Sequence, residues 1–172
     1  MADYEVRTLQ SGDFDALMGL EQSLFGDAGE KTLGPFYLRL CCDFFGDTCL
    51  LALVAGEPVG YCLTFVRDRE AYCSTLAIAE PYRRTRLVHR FVEALVAAIG
   101  SRVDALWFTV HEANADARAL HATLGARESG VHPDYFGPGE PRIVSRIDRV
   151  AFERLRARMA RLGLLMPHAA TA

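Results

Sequence analysis

Three arginines, Arg83, Arg84 and Arg86, stand together in a short turn where an extended apolar stretch, residues 72–78, gives way to a run with helical spacing. A strand that feeds a helix through such a turn leaves N–H groups unsatisfied at the helix N-terminus. With the guanidinium groups these suit an anion such as phosphate. An ordinary strand-to-helix connection with solvated arginines reads the same residues equally well. Nucleophilic and metal chemistry are less well served. Cys41, Cys42, Cys49, Cys62 and Cys73 are odd in number, form no C-x-x-C pair and lie in apolar stretches, which reads as reduced, buried thiols. A cysteine nucleophile is the alternative. His111, His121 and His132 follow no usual ligand spacing, so no metal is expected.

The elements that must position these groups can be read in order. Residues 4–9 alternate weakly as a first strand. Asp13 can cap a helix carrying Phe14, Leu17, Met18, Leu20 and Phe25, and a second helix covers about 34–45. Gly26, Gly29 and Gly34 make the junction between them loose, as a mobile lip over a site would be. Strands at 49–54 and 59–66 flank the turn 55–58, and a charged turn, 67–70, leads into the strand beginning at Tyr72. Leu87, Phe91, Val92, Leu95, Val96 and Ile99 then fall at helical spacing, and Gly100 stops that helix. A buried strand at 103–110 and a helix at 114–124 come next. A strand pair, 126–131 and 142–147, brackets the loop 132–141. An amphipathic helix at 150–162 closes the chain, with Arg154, Arg156, Arg158 and Arg161 on its outer face. The fold class is α/β with a mixed central sheet, and its one right-handed β-α-β passage runs through the basic turn.

A chain of 172 residues with 51% hydrophobic and 24% charged residues suits one soluble domain with a substantial core. No apolar run reaches the ~20 residues of a membrane span. Asp3 and Glu5 near the start do not read as a secretory leader, so a cytoplasmic protein with no membrane partner is expected. Net charge is −3, yet residues 1–48 alone carry −6, so one part favours a cationic or amine partner and another an anionic one. The acidic balance, without a basic face interleaved with aromatics, argues against nucleic acid.

Three stretches, in this order, resemble the GNAT superfamily of N-acyltransferases over residues 3–148. Thr75-Leu-Ala-Ile-Ala-Glu-Pro-Tyr-Arg-Arg84 is similar to the family's acyl-CoA strand and pyrophosphate loop. Asn114-Ala-Asp-Ala-Arg-Ala-Leu-His-Ala-Thr-Leu-Gly125 is similar to its N-x-x-A-x-x-L-Y-x-x-x-G helix. Asp134-Tyr-Phe-Gly-Pro-Gly-Glu140 resembles the Y-Y-x-x-G-E loop of the protein N-terminal acetyltransferase branch. The resemblance implies a GNAT fold with a mixed sheet of about seven strands and four helices, as domain 1–148, and an extra C-terminal helix in the extension 149–172. It implies that Leu76, Ala77 and Ile78 grip the pantetheine and acyl group. Arg83, Arg84, Thr85, Arg86, Leu87 and Val88 would meet the pyrophosphate, with Asn114 also on the donor side.

One departure stands out. The family's Q/R-x-x-G-x-G/A loop is here Arg83-Arg-Thr-Arg-Leu-Val88, with Arg86 and Val88 in place of both glycines. Glycine lets backbone amides approach phosphate closely. Arg86 can offset its loss through charge-assisted hydrogen bonds, whereas Val88 cannot. Three donor readings therefore stay open. Acetyl-CoA or acyl-CoA binds with arginines replacing amides; or acyl-phosphopantetheine arrives on an acyl carrier protein that Arg84, Arg86 and Arg90 meet; or the domain is a GNAT-like binding module without chemistry.

Acyl transfer from a thioester to an amine needs a base for the ammonium, a donor for the developing oxyanion and a proton for the leaving thiolate. The resemblance assigns the oxyanion donor to a backbone N–H within residues 76–78. It assigns His121, which occupies the place of the family's helix tyrosine, to the thiolate. The family's strand base position is Thr109, which cannot serve, and His111 two residues on takes that role directly or through water. Tyr72 matches a catalytic tyrosine of one N-terminal acetyltransferase subgroup, and Tyr135 matches the loop tyrosine that lines the acceptor site. The expected acceptor is a small-molecule amine or a peptide N-terminus, on a monomer or homodimer.

Overall fold

The computed structural model describes residues 4–163, so Asp3 and the end of the C-terminal extension lie outside it. The strands are β1 (Tyr4–Thr8), β2 (Leu50–Val54), β3 (Glu57–Arg67), β4 (Glu70–Ile78), β5 (Ala105–Val110), β6 (Arg127–His132) and β7 (Arg142–Ile147). The helices are α1 (Phe14–Glu21), α2 (Pro35–Asp43), α3 (Leu87–Ile99), α4 (Ala115–Thr123) and α5 (Arg149–Arg161). The strands form one mixed seven-stranded sheet in the order β1-β2-β3-β4-β5-β7-β6. The expected α/β architecture with about seven strands, four helices and one extra C-terminal helix is the one observed.

The chain divides into two compact units, Met1–Phe65 with Ser74–Ile99, and Val66–Cys73 with Gly100–Ala172. In the first, β1 and β2 pair antiparallel from Tyr4↔Val54 to Thr8↔Leu50. The hairpin from β2 to β3 turns on Ala55 and Gly56, both left-handed at φ 52° and 84°. Two left-handed residues are what a tight two-residue hairpin demands, so β3 begins at Glu57 and takes Pro58 into the strand, against Leu53. The core of this unit joins Leu17, Leu38, Leu51 and Leu63 to seven further buried residues, with Cys41 and Cys49 among them. All five cysteines are free and buried, as their apolar surroundings require.

Glu21 is the charged exception among the described buried residues of this unit, only 2% exposed. Its carboxylate accepts the Tyr61 hydroxyl proton and, at 2.6 Å, the backbone N–H of Leu33. The glycine-rich junction between α1 and α2 is thereby fastened at its far end. Burial and the adjacent carboxylate both push the Tyr61 hydroxyl far above the usual tyrosine range, so it stays a donor.

In the second unit β5 pairs parallel with β4 over Glu70↔Ala105 to Cys73↔Phe108, and antiparallel with β7 over Leu106↔Ile147 to Val110↔Ile143. β7 lies between β5 and β6, so the strand pair expected from the sequence places its first member at the sheet edge. Residues alternate between faces along a strand and share a face when directly opposed. Ala71, Leu106, Phe108, Val110, Ile143 and Ile147 therefore share one face, and all are buried. Phe152, Leu155 and Met159, spaced at three and four along α5, are the buried stripe of that helix.

Candidate active site

The opposite face of the second unit's sheet is polar. The pairs Tyr72↔Trp107, Trp107↔Arg146 and Thr109↔Val144 place all five residues on it, and Arg142, two residues before Val144, joins them. Glu70 accepts hydrogen bonds from Trp107 Nε1 and Arg146 Nη2, each at 3.1 Å, and the Arg146 guanidinium stacks 4.8 Å above the Trp107 ring. Arg146 is thus neutralised on its own face.

Tyr72 and Thr109 form a hydroxyl pair at 2.8 Å. Burial pushes the Tyr72 hydroxyl above the usual tyrosine range, opposed by the Thr109 hydrogen bond. Tyr135 raises it and Arg142 lowers it through their charges, both as smaller effects. A neutral, hydrogen-bonded hydroxyl cannot act as a base at physiological pH, but it can donate or hold a water. Thr109, which had no role as a base, is the partner that fixes this hydroxyl.

Tyr135 is held by its loop. Asp134 Oδ1 accepts the Gly139 N–H at 2.9 Å, and the Asp134 carbonyl accepts that of Gly137 at 3.2 Å. Gly137 and Gly139 sit at φ 126° and 76°, which side chains rarely adopt, so the G-P-G run is a backbone requirement. The Tyr135 ring packs edge-on against Phe136 at 4.9 Å and His132 at 6.0 Å, and remains 42% exposed.

The two candidate histidines have different environments. His111 follows the end of β5, is exposed, and accepts the Ala113 N–H on Nδ1 at 3.2 Å. A ring that accepts there carries its proton on Nε2 in the neutral form. His121 on α4 stacks on Phe108, with centroids 4.2 Å apart and planes 22° apart, so it lies on the apolar face of β5. Burial lowers its pKa to about 4, and its Nδ1 is buried with no hydrogen-bond partner. His121 is therefore neutral at pH 7, and any proton it supplies is that of a neutral imidazole. Asn114 caps α4, its Oδ1 accepting the Ala117 N–H at 3.1 Å. No hydrogen bond joins His111 or His121 to the Tyr72–Thr109 pair among the described residues.

The donor-side residues lie in the first unit. The parallel ladder of β4 stops at Cys73, so Leu76, Ala77 and Ile78 lie beyond it. Gly60 on β3 allows close approach there, since a Cβ would stand 2.7 Å from the Ala77 carbonyl oxygen. Arg83 ties the turn to the strand by donating Nε–H to the Ile78 carbonyl at 3.0 Å. Thr85 Oγ1 donates to the Tyr82 carbonyl at 2.7 Å and accepts the Leu87 N–H at 3.2 Å, capping α3. The N–H groups of Val88 and His89 are left without an acceptor among the described residues.

The turn also tests whether the missing glycines matter. Arg84 is its left-handed residue, at φ 59°, while Arg86 and Val88 are not left-handed. Their side chains strain no backbone. What glycine would add at those positions is closeness to the ligand alone. The exposed Arg83, Arg84 and Arg86, with the free N–H groups of α3, fit a polyphosphate.

Sequence reasoning missed Arg142 and the service of Thr109. Alternation along β7 shows that Arg142, Val144 and Arg146 share a face, but only the order β5-β7-β6 puts that face beside Thr109. Among the described residues there is no cluster suited to a metal ion and no helix long and apolar enough to cross a membrane.

Comparison with known proteins agrees with this geometry. No curated protein sequence matches the chain. Solved structures do. Diaminobutyrate acetyltransferase EctA from Paenibacillus lautus, in complex with L-2,4-diaminobutyric acid and coenzyme A, is similar at TM-score 0.70 and 19% identity, covering 87% of this chain and 96% of that one. Arabidopsis thaliana Naa50, in complex with the bisubstrate analogue CoA-Ac-MVNAL, gives 0.71 at 16% identity, with 84% and 98% covered. The ribosomal-protein-S18-alanine N-acetyltransferase of Escherichia coli gives 0.69 at 18% identity, with 99% of both chains covered. The sequence profile of the acetyltransferase (GNAT) family matches residues 14–126. With a strand that outruns its ladder, a cationic turn at a helix N-terminus and a profile match over most of its length, this chain belongs to the GNAT family of acetyltransferases.

Proposed function

We propose that this enzyme transfers an acetyl group from acetyl-CoA directly to an amine, either on a small molecule or at a peptide N-terminus. The observation that carries the reading is the continuous segment from β4 into α3. There strand residues 76–78 outrun the β5 ladder and end in an arginine turn with two free helix N–H groups. Acetyl-CoA, as donor substrate, supplies an acyl group already activated as a thioester.

The chain's own residues do the rest. A backbone N–H within residues 76–78 donates to the acyl carbonyl oxygen, and Arg84, Arg86 and the α3 N-terminus hold the phosphates. Tyr72, fixed by Thr109, orients the attacking amine or a water beside it. His111 takes the ammonium proton on Nε2, directly or through water, in the tautomer that carries its own proton on Nδ1 and gives up the Ala113 contact. Tyr135 walls the acceptor.

A thiol-release assay with acetyl-CoA and a panel of small amines and peptides tests the reading. Amine-dependent release of free CoA is expected, and its absence across the panel would sink it. A carrier-protein donor would instead show release with an acetylated carrier and none with acetyl-CoA.

A further inference from the structure

We propose that Arg142 reads a carboxylate on the amine acceptor and so sets the enzyme's substrate class. This deepens the acceptor side of the proposed reaction and rests on that reading. Arg142 begins β7, directly opposite His132 on β6 and on the same face as Thr109. Its side chain is 22% exposed, and its guanidinium lies 5.0 Å over the Phe136 ring, next to Tyr135 in sequence. It is thus a partly desolvated cation held by an aromatic platform, on the sheet face that also carries Tyr72 and Thr109.

The chain leaves most of its binding capacity unspent. Nη1 donates to the Pro141 carbonyl at 2.7 Å, and the Glu140 carboxylate stands 3.8 Å from the same nitrogen, beyond hydrogen-bond length. Nε and Nη2 find no acceptor among the described residues. Their rigid fork matches a carboxylate with two parallel hydrogen bonds. Arg146, the next arginine on that face, differs, since Glu70 takes its charge. One guanidinium with two unspent nitrogens, paired only loosely with Glu140 and with no helix N-terminus beside it among the described residues, suits a single negative charge better than a phosphate. An acceptor bearing both an amine and a nearby carboxylate follows, as in an acidic amino acid or a peptide with an acidic residue near its N-terminus.

The test uses the full chain and ligands that cannot react. N-acetyl-Ala-Glu-amide and N-acetyl-Ala-Gln-amide differ in one charge, and N-acetylglutamate offers the same carboxylate without a peptide; each is titrated calorimetrically. The acidic peptide or N-acetylglutamate is expected to bind about tenfold more tightly than the glutamine peptide, the size of one charge-assisted hydrogen bond. Whichever binds better tells a peptide acceptor from a small one. Arg142→Gln should erase the preference and Arg142→Lys should keep part of it, with thermal melts confirming that both variants fold. Equal binding of the acidic and neutral ligands, no binding of any at millimolar concentration, or a preference that survives in Arg142→Gln would overturn the proposal. Because these ligands carry no free amine, the result does not depend on turnover. A carboxylate preference without acetylation of either the free-amine peptide Ala-Glu-amide or free glutamate would leave this inference standing and count against the proposed reaction.

Discussion

The Tyr72 hydroxyl lies 2.8 Å from the Thr109 hydroxyl, each on a strand of the parallel β4–β5 ladder and both on its polar face. The pair fixes a neutral phenol where a base was sought. Tyr72→Phe should lower kcat about a hundredfold with a smaller change in KM, because positioning of the proton path is lost and binding area is kept. Thr109→Val should cost about tenfold, and the double variant little more than Tyr72→Phe alone. Steady-state kinetics of the three variants check this.

His111 is exposed, so His111→Ala should leave stability within about 0.5 kcal/mol while kcat falls by at least about tenfold. A chemical melt beside the kinetic assay separates the two effects. An unchanged kcat would remove His111 from the proton path.

His121 predicts a pH dependence of stability. Its folded pKa of about 4 lies below the ordinary 6.5, so the unfolded chain binds a proton that the folded chain refuses. Stability is unaffected above pH 6.5 and declines as pH falls from there toward 4. Discounted for partial exposure, the loss is on the order of 2 kcal/mol. His121→Phe, which keeps the stack on Phe108, should flatten that slope in urea melts run across the window.

Much of this was legible in the sequence, and the reasons are local. Apolar spacing from Leu87 to Ile99 and the Gly100 stop fix α3 because helix periodicity and capping act over a few residues. The sequence places the hairpin at Ala55-Gly56 but not its length: Pro58 reads as part of the turn, and only the two left-handed residues show that the strand resumes at Glu57. The polar face was illegible for a different reason. Which residues face Tyr72 depends on β7 inserting between β5 and β6, a long-range pairing with no local signal, and that pairing brings in Arg142 and Arg146. His121 could be assigned a place on α4, yet its stacking on Phe108 and its lowered pKa come from tertiary burial alone.

Glu21 and Tyr61 form a second testable pair. Tyr61→Phe leaves a carboxylate that is 2% exposed without one of its two donors, at an expected cost of about 2 kcal/mol in denaturant midpoint measurements. Because Glu21 also holds the Leu33 N–H, faster hydrogen exchange at Leu33 should accompany the loss.

The arginine turn predicts the donor's salt dependence. Arg86→Ala should weaken acetyl-CoA binding about fivefold at low salt and reduce the sensitivity of binding to added salt, because one charge-assisted contact to phosphate is lost. Calorimetric titration at two salt concentrations reads both.

The central claim is that the segment from the end of β4 into α3 binds the thioester donor. Hydrogen exchange of the full chain with and without acetyl-CoA tests it most directly. Protection concentrated in residues 74–90, including the N–H groups of Val88 and His89, is the predicted result. Unchanged exchange there at millimolar acetyl-CoA would contradict it.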